Sequence, residues 1–214
     1  MKKIIQVAID SPAAAGAGTQ AKLIAKHYNL FYLDTGKIYR FIGNLKIKKK
    51  KFNYQLVKKE IKKLKIKNLQ SKSLLSDKVA IEASIVAKDK KIRKIVYNFQ
   101  LKCAHFPPKK FRGSILDGRD ITSVIMKDAM FKFFITADVK IRALRRYKEL
   151  KSLKKKVTYE EVLKSIKIRD KSDYNRKHSP LKKTKDSILI STSKLSRRSC
   201  FLKIKQIMDK KLKA

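Results

Sequence analysis

The sequence predicts an α/β protein of three layers, a parallel sheet with helices on both faces. Three observations predict it. Short apolar runs rich in β-branched residues alternate along the chain with longer segments of helical period. The runs are continuous rather than alternating, as expected of strands covered on both faces. The first of them passes through a loop of small residues directly into a helical pattern, the opening expected of an open α/β sheet.

The elements follow in order. Lys3 to Asp10 is the first strand, Ser11 to Gly18 the loop, and Thr19 to Tyr28 a helix with Ala21, Leu23, Ile24 and Ala25 on its apolar side. Leu30 to Leu33 is a second strand, leading into Asp34-Thr35-Gly36 and a helix that carries Tyr39 and Arg40. From about Ile47 to Ser73 the chain is dense in lysine and weakly patterned, which predicts a partly helical insertion at the edge of the core. Asp89 to Phe106 places Ile92, Ile95, Val96, Phe99 and Cys103 on one helical face, and Pro107-Pro108 ends it. Ser114 to Asp117 and Met130 to Thr136 are further strands, and Asp138 to Leu150 is a helix with Arg142, Arg145 and Arg146. Thr158 and Glu161 form a capping box, with Val157 and Val162 spaced as its staple. Ser187 to Ser191 is the last strand, and Leu195 to Leu212 a helix with Phe201, Ile204 and Met208 inward.

Composition limits the classes of function. The 214 residues suffice for one domain with one or two small mobile parts. Lysine and arginine number 57 against 17 acids, a formal net charge of +40 that would attract any polyanion. The lysines are spread along the whole chain, however, and no zinc-finger spacing or aromatic-interleaved strand accompanies them. They read as a solvated surface, and specific nucleic-acid binding is not expected. No apolar run approaches the roughly 18 residues of a membrane span, and no h-region with a cleavage site follows the start, so a cytoplasmic location is expected. Cys103 and Cys200, each inside an apolar helical pattern, read as reduced core residues.

Four constellations carry chemistry. Ser11-Pro12-Ala13-Ala14-Ala15-Gly16-Ala17-Gly18-Thr19 has the small residues that let backbone N–H groups turn onto phosphate oxygens at a helix N-terminus. Phosphate loops of this type place lysine where Ala17 stands, and a hydroxyl for Mg²⁺ where Thr19 stands. Asp34-Thr35-Gly36-x-x-Tyr39-Arg40 supplies a hydroxyl, a close approach and a guanidinium fork for phosphate. Asp117-Gly118-Arg119-Asp120 ends a strand, where open α/β sheets bind ligands. Arg169, Asp173 and Arg176 fall at i, i+4 and i+7, one face of a predicted helix.

Taken together and in this order, the four motifs resemble those of the bacterial cytidylate kinases, within the P-loop nucleoside monophosphate kinases, over nearly the whole chain. The resemblance implies a core at about 1–42, 88–150 and 185–214, a nucleotide-binding insert at about 43–87 and a lid at about 151–184. It implies phosphoryl transfer from ATP, with Mg²⁺, to CMP or dCMP in a monomer. Ser11 to Thr19 would hold ATP, and Thr19 and Asp117 would face the metal. Thr35, Arg40, Ser84, Arg93, Arg119, Asp120, Asp173 and Arg176 would hold CMP, and Arg40, Arg119, Arg169 and Arg176 would surround the transferring group. Ser84, Arg93 and Asp120 are the residues implied to read cytosine, and Asp173 the one on the ribose. Ser11 for glycine and Ala17 for lysine depart from the family pattern; a lysine from elsewhere, for example Lys22 or Lys37, or the lid arginines alone are the candidates for the missing cation. A catalytically impaired nucleotide-binding relative and a basic RNA-binding protein are the alternatives.

Overall fold

The computed structural model describes residues 4–213, so the Lys3 end of the first predicted strand lies outside the described residues. Five parallel strands, β1 (Ile5–Asp10), β2 (Phe31–Asp34), β3 (Gly113–Gly118), β4 (Phe131–Thr136) and β5 (Ile188–Ser191), form one sheet in the order β2-β3-β1-β4-β5. The helices are α1 (Ala17–Tyr28), α2 (Gly36–Lys48), α3 (Tyr54–Lys62), α4 (Asp77–Val86), α5 (Lys90–His105), α6 (Val139–Ser152), α7 (Tyr159–Asn175) and α8 (Arg197–Lys213). None is long and apolar enough to cross a membrane.

Alternation along the strands divides the core into two sheets of side chains. Ile5, Val7 and Ile9 of β1 point to one face, where Ile24 of α1 and Ile204 and Met208 of α8 cover them. Ala8 points to the other, toward Ile38 and Ile42 of α2 and Ile92 and Val96 of α5. Cys200 is buried in the first cluster and Cys103 is half-buried against the second, both as free thiols. Burial pushes Cys103 up to about 11.

The lysine-dense stretch is more ordered than its composition predicts. Helix α2 runs on to Lys48, and Asn53 caps α3 by accepting from the Leu56 N–H at 2.9 Å. Val57 and Ile61, one turn apart, bury the inner face of α3 while its lysines stay in water. A Cβ at Gly43 would lie 2.8 Å from the Ala83 N, so α2 and α4 meet backbone to backbone. At the other end, Thr158 accepts from the Glu161 N–H at 3.2 Å and Glu161 returns the bond at 2.8 Å, the predicted capping box. One expectation is corrected. Helix α7 stops at Asn175, and Arg176 has extended geometry (φ −67°, ψ 139°), so it leaves the helical face shared by Arg169 and Asp173. The chain there folds back, with the Leu181 N–H donating to the Asp173 carbonyl at 2.8 Å.

The sheet order sets β1 beside β3, with Asp10 opposite Gly118, so the loops leaving these strands run side by side. A buried carboxylate joins them. Asp10 accepts from the Ile121 N–H at 2.7 Å, the Thr122 N–H at 2.8 Å and the Thr122 hydroxyl at 2.6 Å. Burial raises its pKa from 3.8 to about 6, against the lowering effect of those donors. The folded state therefore holds a proton that the unfolded chain gives up earlier, and this contribution is lost as pH rises through about 6. Asp10→Ala, which orphans these buried donors, is expected to cost about 3 kcal/mol in urea unfolding. The wild-type advantage should be larger at pH 4 than at pH 7.

Candidate active site

The loop between β1 and α1 is built for an anion. Ala14 (φ 58°) and Gly16 (φ 90°) both sit in the left-handed region. Such turns direct successive N–H groups into a concave nest. No side chain caps α1, and its first turn holds no acid, so the positive end of the helix is open to a ligand. Ser11, Pro12, Ala14, Ala15, Gly16, Ala17, Gly18 and Thr19 line a cleft of about 520 Å³. Ala13 does not. Its N–H donates to Asp170 at 3.3 Å and its carbonyl accepts from Arg142 at 2.9 Å, on the far side of the loop. Ala17, at the lysine position, is buried between the cleft and the core cluster beneath the loop.

The same cleft receives every other predicted site residue: Thr35, Arg40, Ser84, Arg93, Asp117, Arg119, Asp120, Arg169, Asp173 and Arg176. The Thr35 hydroxyl donates to the Asp117 carbonyl at 2.9 Å, so in this state it fastens two loops. Arg40 donates to the Leu74 carbonyl at 2.9 Å, tying α2 to the turn ahead of α4. Asp120 binds the Arg93 guanidinium and lies 3.7 Å from Arg176, while Asp173 accepts from Arg119 Nε at 2.8 Å. Arg93 also donates to the Ala87 carbonyl at 3.0 Å and lies over the Tyr39 ring, 5.5 Å from its centroid. Such a cation over an aromatic face has its orientation fixed.

Two electrostatic features say what this cleft can hold. Loss of solvent lowers the pKa of Arg169 to about 10, with the charges of Arg119, Arg40 and Arg146 adding to the effect. Arg176 is lowered for the same kind of reason, with Arg93 beside it. Cations so crowded favour anionic ligands with several oxygens. The second feature is Asp117, raised to about 8 first by burial and then by Asp34. Its Oδ1 is buried without a hydrogen-bond partner. A Cβ on Gly18 would lie 3.3 Å from Asp117 Oδ2, so the carboxylate borders the first turn of α1, where exposed Thr19 stands. A carboxylate with one oxygen unpartnered, the group itself hydrogen-bonded by Tyr32, beside a hydroxyl and a phosphate nest fits Mg²⁺, which takes one or two protein oxygens and keeps phosphates and waters for the rest. Among the described residues no group of three or more His, Cys, Asp or Glu forms an all-protein metal cage.

Sequence reasoning missed several lining residues. Tyr32, Arg145, Arg146 and Glu149 all face the cleft, as do Asp34 and Tyr39, which the second motif contained without a role. The three arginines of α6 were a signal, since arginines within one short helix of a lysine-rich chain are a chemical choice rather than bulk charge. Of the two candidate lysines for the missing cation, Lys22 lines the cleft and lowers the pKa of Asp117, whereas Lys37 does not line it.

Comparison with known proteins agrees with this geometry. The family model for cytidylate kinase matches residues 7–210. The cytidylate kinase of Thermosipho melanesiensis is 36% identical, over 97% of this chain and 98% of its own length. Those of Azorhizobium caulinodans and Bartonella tribocorum are 38% and 39% identical, over 95% and 91% of this chain and 98% and 90% of theirs. A solved structure of an uncharacterized protein from Eubacterium ventriosum, 19% identical, shares the fold with a TM-score of 0.57 over 96% of this chain and 98% of that one. A phosphate loop, a strand-end Asp-Gly-Arg-Asp and an arginine-bearing hairpin thus meet in one cleft along a sequence that matches the family from end to end: the chain belongs to the cytidylate kinase family.

Proposed function

We propose that this chain transfers the γ-phosphoryl group of ATP to CMP or dCMP, with the roles distributed as follows. The observation that supports it is one cleft in which a phosphate nest, a carboxylate with one oxygen unpartnered and an arginine cluster face one another. The loop Ser11 to Thr19 holds the ATP phosphates on its N–H groups. Thr19 and Asp117 would hold the Mg²⁺ that accompanies ATP, which would supply charge neutralisation at the phosphates. Arg40, Arg119 and Arg176 orient the CMP phosphate, and Arg169 reaches the transferring group from α7, within the lid at about 151–184. A CMP phosphate oxygen attacks the γ-phosphorus in line, the bond to the ADP oxygen breaks, and ADP leaves with the electron pair. Positioning and positive charge supply the catalysis, because the transition state needs little covalent help.

Cytosine is read by Ser84, Arg93 and Asp120. Asp120 accepts from an exocyclic amine, and the hydroxyl and guanidinium donors meet the ring carbonyl and nitrogen. The Tyr39 ring supports this assignment by holding Arg93 in one orientation. Asp173 takes the ribose hydroxyls. The segment 43–87 acts as the insert that closes on the acceptor. The protein acts as a monomer in the cytoplasm, and its +40 charge is surface.

The test is ADP formation from MgATP with CMP, dCMP, UMP or AMP. Turnover with CMP or dCMP at least tenfold above AMP is expected, because a site with fixed hydrogen-bond partners rejects a base that leaves them unpaired. Equal rates with all acceptors, or none, would overturn the assignment. The cation that serves the outer phosphates is Lys22, which sits on α1 one turn beyond Thr19 and lines the cleft. Lys22→Ala is expected to lower kcat/KM for ATP by roughly tenfold, the scale of one lost charge-assisted contact. Lys37→Ala should leave it within a factor of about two. Ala17→Lys in the Lys22→Ala background should recover the activity.

A further inference from the structure

The peptide units around Ala13 are held from outside the cleft. Arg142, 5% exposed, donates from one terminal nitrogen to the Ala13 carbonyl at 2.9 Å and from Nε to the Ala137 carbonyl at 2.9 Å. Its other terminal nitrogen pairs with Asp170 Oδ2 at 2.7 Å. Asp170 Oδ1 in turn accepts the Ala13 N–H at 3.3 Å. One guanidinium and one carboxylate therefore fix both polar groups of a single residue, and they come from different helices, α6 and α7.

A second tie lies two residues on. The Thr192 hydroxyl donates to the Ala15 carbonyl at 3.0 Å, and Arg145 donates to that hydroxyl at 2.9 Å and to the Thr192 carbonyl at 2.6 Å. Between the two ties stands Ala14, an alanine at φ 58°, where a Cβ is strained by about 1 kcal/mol. Its methyl packs against the α6–α7 cluster formed around Ala143 and Val162. The loop thus adopts its anion-binding turns with two carbonyls and one N–H held outward by its neighbours, leaving the intervening N–H groups to face the cleft.

We propose that Asp170 is a positioning residue for ATP: docked on Ala13 and Arg142, it fixes the phosphate loop and, through the adjacent Arg169, joins loop geometry to hairpin closure. Asp170 faces away from the cleft that Arg169 enters, so it contacts no phosphate. With Asp170 docked, its neighbour Arg169 lines the same cleft as the loop. With Asp170 undocked, Ala13 N–H loses its acceptor and Ala14 the packing that offsets its strain. ATP binding and hairpin docking are in this way one event, whereas the acceptor side has its own anchors: Asp173, on the same helix, is held by Arg119, and Asp120 by Arg93.

This rests on the kinase reading, so the test uses equilibrium binding, which needs no turnover. Dissociation constants for MgATP and for CMP are measured by titration calorimetry on wild type, Asp170→Ala and Asp170→Asn. Asp170→Ala is expected to weaken MgATP about tenfold while CMP changes less than about twofold and the melting temperature falls by only a few degrees. Asp170→Asn keeps an acceptor for the Ala13 N–H but loses the ion pair, and should lie between the two. If Asp170→Ala does not fold, Asp170→Asn decides alone, with a threefold or greater loss for MgATP expected and none for CMP. Unchanged MgATP affinity in a folded variant, or parallel loss of MgATP and CMP, would overturn the proposal. Failure of the wild type to bind CMP would instead count against the kinase reading itself.

Discussion

The site depends on a carboxylate that touches no ligand. Asp10 ends β1 and accepts three hydrogen bonds from residues 121 and 122, beyond the end of β3. It thereby fixes how far the phosphate loop stands from Asp117, Arg119 and Asp120. Parallel register alone sets the strands side by side, but loops leaving them are free to diverge. A buried acid with only donors around it resists that divergence, since any opening leaves backbone N–H groups unpaired in a dry place. The protein accepts an elevated pKa at Asp10 in exchange for a rigid mouth to the cleft.

Around that mouth, charge is deliberately unbalanced. Arg119 and Arg93 have carboxylate partners within hydrogen-bonding distance, yet Arg176 stands 3.7 Å from both of its acids, with one terminal nitrogen buried and unpartnered. Arg169 is destabilised as a cation by its surroundings. Such an arrangement is costly for the fold, because cations withdrawn from water there are not fully compensated by carboxylates. The +40 surface charge has no comparable geometry: its lysines are spread along the whole chain, in loops as well as on the outer faces of helices.

Much of this was legible in the sequence, for identifiable reasons. Buried parallel strands have to be continuous apolar runs, and all five were readable from that requirement. The capping box at Thr158 is local chemistry and was legible too. The resemblance to the family rested on four motifs in order, three of which sit at a strand end or helix start that the hydrophobic pattern also marks. Pairings across long separations were not legible. Nothing in the spacing says that Asp170 meets Ala13, 157 positions away. Arg176 was misplaced by extending a helical period past Asn175, where a turn back to Leu181 takes over. The lysine-dense stretch hid α3 because only Val57 and Ile61 carry its pattern, too few for a period to stand out.

The close approach of Gly43 to Ala83 has a bearing on how far the cleft can widen. Helix α2 carries Arg40 near its start and Gly43 less than one turn later, and Ala83 is followed directly by Ser84. A Cβ on Gly43 would stand 2.8 Å from the Ala83 N, so there is no slack between the helix that carries Arg40 and the one that carries Ser84. The span between these two cleft-lining side chains is therefore gauged by backbone thickness rather than by adjustable side chains. Widening it would pry two main chains apart, so this end of the cleft behaves less like a yielding pocket than like a caliper with its jaw set.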